Sequence, residues 1–168
     1  MKKTLKLSAV IMLAVISNAV KAQTVNTAVG ANVLTAITLT ENSQMHFGTM
    51  TVPTTVATVI LSTAGARTNT GTINLLAQAP LAVAAAYTVA GEPDATYAIT
   101  LPTSTSISNG GGGNMIVNSF TCSYPLLVGQ LSGFSGEDNF TLGATLNLAS
   151  SQATGIYAGT FNVSVAYN

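Results

Sequence analysis

His46 is the only histidine and Cys122 the only cysteine in this chain of 168 residues, which has no tryptophan. A Ser-His-Asp relay would have to run through His46. That residue sits between Met45 and Phe47 with no nucleophile motif beside it, so it reads as a strand histidine without a catalytic role. A reactive thiol needs neighbouring cations to favour its thiolate. Cys122, in Phe120-Thr121-Cys122-Ser123-Tyr124, has none nearby in sequence. It reads as a small buried apolar residue, with an intermolecular disulfide as the alternative in an oxidising compartment. One cysteine excludes an internal disulfide framework and a cysteine-rich zinc site, and one histidine excludes a multi-histidine metal site.

The acids add no chemistry. Glu92 with Asp94 and Glu137 with Asp138 are the only acidic clusters. Calcium loops supply about six to eight oxygens through a D-x-[DN]-x-[DN]-G pattern, which is absent. A glycosidase pair would also need a sugar cleft lined by aromatics. These acids therefore read as solvated loop charges. The run Gly110–Gly113 lacks the Lys-Ser/Thr ending and the following helix of a phosphate loop, and reads as a flexible loop. Arg67 reads as structural, satisfying backbone carbonyls or one carboxylate. No catalytic, cofactor-binding or metal-binding residue is assigned, no cofactor is expected, and the chain is not expected to be an enzyme.

Only 6% of the residues are charged and 48% are apolar, which excludes the low-hydrophobicity, high-charge signature of disorder. Met1–Ala22 reads as a secretory leader. Lys2, Lys3 and Lys6 begin it, and Val20-Lys21-Ala22 offers small residues for cleavage before Gln23. The apolar stretch Leu7–Val20 is shorter than the roughly 20 residues that span a bilayer. The expected route is export to the periplasm, then to the cell surface or medium, with no membrane insertion after cleavage. Cleavage would remove four of the five basic residues. It would leave 146 residues, the 168 less the 22 of the leader. Arg67 would then face five acids, for a side-chain balance of −4, the one cation less those five. Such a chain cannot neutralise a run of phosphates, so nucleic acids and anionic membrane surfaces are excluded as partners.

The elements that must position these residues are strands. Period two dominates, broken by Gly, Pro, Asn and Ser clusters, and a chain of this length makes one domain. Val25, Thr27, Val29, Ala31, Val33, Thr35, Ile37 and Leu39 hold the odd positions of the longest alternation. Extended, Val25–Leu39 would span roughly 50 Å, well beyond an ordinary strand. It either bends near Gly30 or projects beyond the domain's own sheet. Further strands are expected at Met45–Gly48, Val56–Leu61, Thr72–Leu76, Ala86–Ala90, Tyr97–Leu101, Met115–Phe120, Phe140–Leu148 and Tyr157–Tyr167. Gly91-Glu92-Pro93-Asp94 predicts a hairpin between 86–90 and 97–101, and Ser150–Gly155 a C-terminal hairpin. About seven to nine short strands predict an all-β antiparallel sandwich, with a barrel as the rival. The expected layout is a leader over 1–22, an extended segment over 23–40 and the sandwich over 41–168.

Several segments then carry a resemblance. Phe47-Gly48, Ala64-Gly65-Ala66-Arg67-Thr68, Val89–Pro102, Leu142–Leu148 and the ending Gly155–Asn168 together resemble a bacterial family of secreted proteins known as domain of unknown function 4402. The likeness covers nearly all of the mature chain, and the family carries no established activity. The ending G-x-Y-x-G-x-F-x-V-x-V-x-Y is also similar to the last strand of archaic chaperone-usher pilus subunits of the spore-coat-U type. Many of those subunits have an intradomain disulfide, which a chain with one cysteine lacks. This second resemblance implies an immunoglobulin-like sandwich missing one strand, completed by a neighbour's N-terminal extension. It implies donor positions at Val25, Thr27, Val29, Ala31 and Val33, and acceptor positions at Phe161, Val163, Val165 and Tyr167. The implied partners are copies of this chain or related subunits, and a periplasmic chaperone. The expected function is thus a non-enzymatic structural subunit of a fimbria-like surface assembly. The alternative is a monomeric secreted or surface binding module, an adhesin for carbohydrate or protein, using loops such as Asn109–Asn114 and Ser132–Asn139.

Overall fold

The computed structural model describes residues 22–168, so the expected leader lies outside the described residues except for Ala22. Among them there are twelve strands and no helix. The strands are β1 (Thr38–Ser43), β2 (His46–Phe47), β3 (Ala57–Leu61), β4 (Arg67–Thr70), β5 (Ala82–Val83), β6 (Ala85–Ala90), β7 (Thr96–Thr100), β8 (Ser104–Ser108), β9 (Asn114–Cys122), β10 (Val128–Gln130), β11 (Glu137–Leu148) and β12 (Ser164–Tyr167). Every pairing is antiparallel. The fold is an all-β sandwich. One sheet holds seven strands, a second runs β10-β7-β12, and β2 pairs with β5.

β11 organises the large sheet. Leu142 pairs with Ala85 of β6 and Cys122 of β9, so β6 and β9 lie on opposite edges. Leu146 pairs with Val59 of β3 and Val117 of β9, so β3 also lies opposite β9. β6 and β3 therefore follow one another along the same edge of β11. The handover falls at buried Gly143, where a Cβ would run into the Leu61 carbonyl oxygen and lie 2.8 Å from the Ser62 carbonyl carbon. Only glycine lets β3 come this close.

Strict alternation along β11 turns Phe140, Leu142, Ala144, Leu146 and Leu148 to one face. That single face serves two cores. Phe140 and Leu142 pack with Tyr87, Val89, Tyr97 and Ile99 between the two larger sheets. Leu146 and Leu148 pack with Phe47, Val59, Leu61 and Val117 in the other half. Full burial of each such side chain contributes about 1.5–3 kcal/mol, so both halves have a real driving force.

Two expected pairings are corrected. The Gly91–Asp94 turn does not close a hairpin, because β6 pairs with β1 and β11 while β7 pairs with β10 and β12. The reason lies in the side chains. Tyr87 and Val89 of β6 and Tyr97 and Ile99 of β7 all point inward, so the strands stack across the core. The C-terminal hairpin is likewise absent, since β12 pairs with β7 and not with β11. Thr72–Leu76 forms no strand beyond a single bridge from Leu75 to Met50. The expected strand Tyr157–Tyr167 is a bridge at Ala158 followed by β12.

The compact unit is Val33–Asn168. Residues 22–32 carry no strand, and Val25 and Val29 are 78% and 95% exposed. Val33, at the start of the compact unit, is 90% exposed.

Candidate groove in the open half of the sandwich

The open half of the sandwich has a groove of about 480 Å³. Its floor is apolar, built from Met115, Val117, Leu146 and Leu148. One rim is the segment Gln44–Pro53 near the start of the fold, and the other is Gln152–Gly159 with Phe161 near its end. The groove thus lies between residues 44–53 and 152–161, which are joined at one end where the Ser151 N–H donates to Pro53 O at 2.9 Å.

The rims' backbone bonding is one-sided. Leu76 donates its N–H to Thr49 O at 3.0 Å, and Thr51 donates to Asn74 O at 3.0 Å. In an extended chain the next residue's groups point to the opposite edge. Those two bonds make the Met50–Leu75 bridge, and the N–H and C=O of Met50 and Val52 themselves accordingly have no backbone hydrogen bond among the described residues. On the second rim Ala158 exchanges both backbone bonds with Ser108, at 2.9 and 3.0 Å. Tyr157 and Gly159 project the other way and are unpaired among the described residues. Two rows of free donors and acceptors therefore flank an apolar floor.

Both rims are held from behind. Arg67 donates through Nη1 to Phe47 O at 2.9 Å and Thr49 O at 3.0 Å, and through Nη2 to Leu76 O at 2.8 Å. His46 Nδ1 accepts the Gly48 N–H at 2.8 Å. Tyr157 Oη donates to Ala153 O at 2.7 Å and accepts from Gln152 Nε2 at 2.8 Å. The expected flexible loop is tied down too: Asn109 Oδ1 accepts from Gly111 and Gly113, each at 2.9 Å.

The expected acceptor positions are divided by the fold. Phe161 reaches the groove and packs on Phe120 with ring centroids 4.9 Å apart and planes tilted by 46°. Phe161 also packs on the closed core, as do Val163, Val165 and Tyr167, which do not line the groove. Tyr167 also forms a clamp there. Its hydroxyl donates to Thr35 O at 2.8 Å and accepts the Glu92 N–H at 2.6 Å. Thr35 donates through its N–H and hydroxyl to Glu92 Oε2, at 3.0 and 2.9 Å. These two bonds, the backbone one foremost, hold the Glu92 carboxyl below the usual range. The clamp fixes the chain just after exposed Val33.

A second polar cluster lies against the closed core. Asp138 accepts hydrogen bonds from Tyr97 Oη at 2.9 Å and from Tyr124 Oη at 2.7 and 2.9 Å. Burial, then the Asp138 carboxylate, pushes the Tyr124 hydroxyl up to about 12 and raises that of Tyr97 further. Half-buried Cys122 accepts the Tyr124 N–H through Sγ at 3.4 Å. The cluster joins β7, the β9–β10 connection and β11, and keeps the tyrosines neutral.

Sequence pattern marked a strand at Met45–Gly48, where β2 lies, but not the continuation of the rim to Pro53. The rim is short, interrupted by Gly48 and Pro53, and carries no long alternation. The family model described as Domain of unknown function (DUF4402) matches residues 37–167. No curated protein and no solved structure matches the chain.

Proposed function

The chain belongs to the DUF4402 family, and we propose that it is a non-enzymatic, exported structural subunit of a fimbria-like surface assembly. Subunits join by β-strand addition, the groove of one copy receiving residues Val25–Val33 of another. The carrying observation is the apolar groove flanked by unpaired backbone groups on Met50, Val52, Tyr157 and Gly159. An extended segment with apolar residues on alternate positions fits that need: its side chains cover the floor and its backbone bonds the rims. Val25, Val29 and Val33 are exposed and offer such an edge. Their burial would supply a driving force of about 25 cal/mol per Å².

Removal of Thr24–Ala31 tests the reading. The shortened chain is expected to keep the melting temperature of the parent and to stay monomeric while the parent polymerises. Unfolding of the shortened chain, or undiminished polymerisation, contradicts it.

A monomeric secreted or surface binding module is the second reading. It draws on Phe134, fully exposed on the loop between β10 and β11. Ser132 Oγ orders that loop by accepting from Phe134 N at 3.2 Å and Ser135 N at 3.3 Å.

A further inference from the structure

We infer that Arg67 is a positioning residue for strand capture, holding the Phe47–Thr49 rim in the shape that receives an incoming strand. This deepens the strand-addition reading and rests on it. The half-buried guanidinium spends its bonds on three backbone carbonyls, Phe47 O, Thr49 O and Leu76 O. Phe47 and Thr49 flank Gly48, whose φ of +75° interrupts the extended rim, and both carbonyls turn to the same Nη1. The Thr49 carbonyl also accepts the Leu76 N–H, so this side of the rim lies away from the groove. Occupying it from behind leaves the groups of Met50 turned to the groove.

Gly48 shows how tightly the device is built. It has φ +75°, and a Cβ there would lie 2.6 Å from Arg67 Nη1 and 3.0 Å from Ala82 N. The rim, the guanidinium and β5 are thus in direct contact, while His46 Nδ1 holds the Gly48 N–H. A rim left loose would have to order as the strand enters, and that ordering weakens binding. Lysine replaces this function only in part. Its ammonium is a single point, whereas the planar guanidinium spans separated acceptors.

The test uses the chain from Gln23 to Asn168 and a fluorescent synthetic peptide of its own residues 24–36. Anisotropy gives the peptide Kd, and melting and amide exchange at Thr49–Val52 are followed in parallel. Arg67→Met is expected to bind the peptide at least roughly tenfold more weakly, with faster exchange at Thr49–Val52 in the folded chain. Arg67→Lys is expected to lie between the two. A merely structural arginine would lower the melting temperature and leave the peptide Kd of folded molecules unchanged. That result for Arg67→Met overturns the inference while strand addition stands. If Arg67→Met does not fold, Arg67→Lys decides: wild-type affinity and exchange overturn the inference. A parent chain that does not bind the peptide overturns the strand-addition reading and this inference with it.

Discussion

One strand serves two cores that are finished differently. Around Phe140 and Leu142 of β11, the sheet β10-β7-β12 closes the sandwich, and Tyr97, Val89 and Leu142 are wholly buried. Around Leu146 and Leu148, the sheets leave a groove over the same apolar face. The hydrophobic pattern is equally strong in both halves of β11, so the difference comes from the covering chain. Over the closed core, β12 pairs fully with β7. Over the open one, the preceding stretch makes a single bridge at Ala158 and leaves its other edge unpaired. A sandwich half can therefore bury its residues well and still leave backbone groups unpaired among the described residues.

The comparison can be broken by substitution. Phe140→Ala in the closed core is expected to cost about 3–5 kcal/mol, as a large cavity opens where neighbours cannot collapse. Leu146→Ala beneath the groove is expected to cost nearer about 2 kcal/mol, because the open side lets neighbours relax. Urea unfolding of both variants checks the order, and equal losses would mean that the two halves are equally closed.

Alkaline pH should single out the closed half. Tyr87, Tyr97 and Tyr124 all belong to it. Burial, then Glu41, pushes the Tyr87 hydroxyl up to about 12, and Tyr124 stands at about 12. Groups whose folded values exceed the ordinary 10.0 stabilise fully below that pH and lose the contribution as pH rises through the folded values. The melting temperature is expected to hold up to about pH 10 and to fall above it. Asp138→Asn should soften the fall by removing the negative charge beside Tyr97 and Tyr124. An unchanged melt through this window would mean that the tyrosines titrate as if exposed.

The smallest stability effect is expected at the exposed segment. Val29→Asp should leave the unfolding free energy of the monomer within about 0.5 kcal/mol of parent, while abolishing polymers. A stability loss there would make Val29 part of an ordinary core.

Much of the sheet was legible in the sequence. The alternation from Phe140 to Leu148 marks its buried face residue by residue, and the apolar run Val56–Leu61 marks β3. The short polar strands β8 and β10 were not legible, since STSIS and VGQ have little to bury and are fixed by their neighbours. Pairing was also hidden. The turn signal at Gly91–Asp94 is the same whether flanking strands pair or stack, and only the facing tyrosines decide. Of the residues lining the groove, the sequence reading named Phe161 and the strand at Met45–Gly48. The rim held by Arg67 depends on contacts between distant residues, and no local pattern announces it.

Gel migration of surface-sheared material, with and without boiling and probed for this chain, tests strand addition most directly. Strands locked into a neighbour's groove predict a ladder that collapses on boiling to one band at the mass of the mature chain. A single monomer band in both lanes would contradict polymerisation and leave the groove to a different occupant.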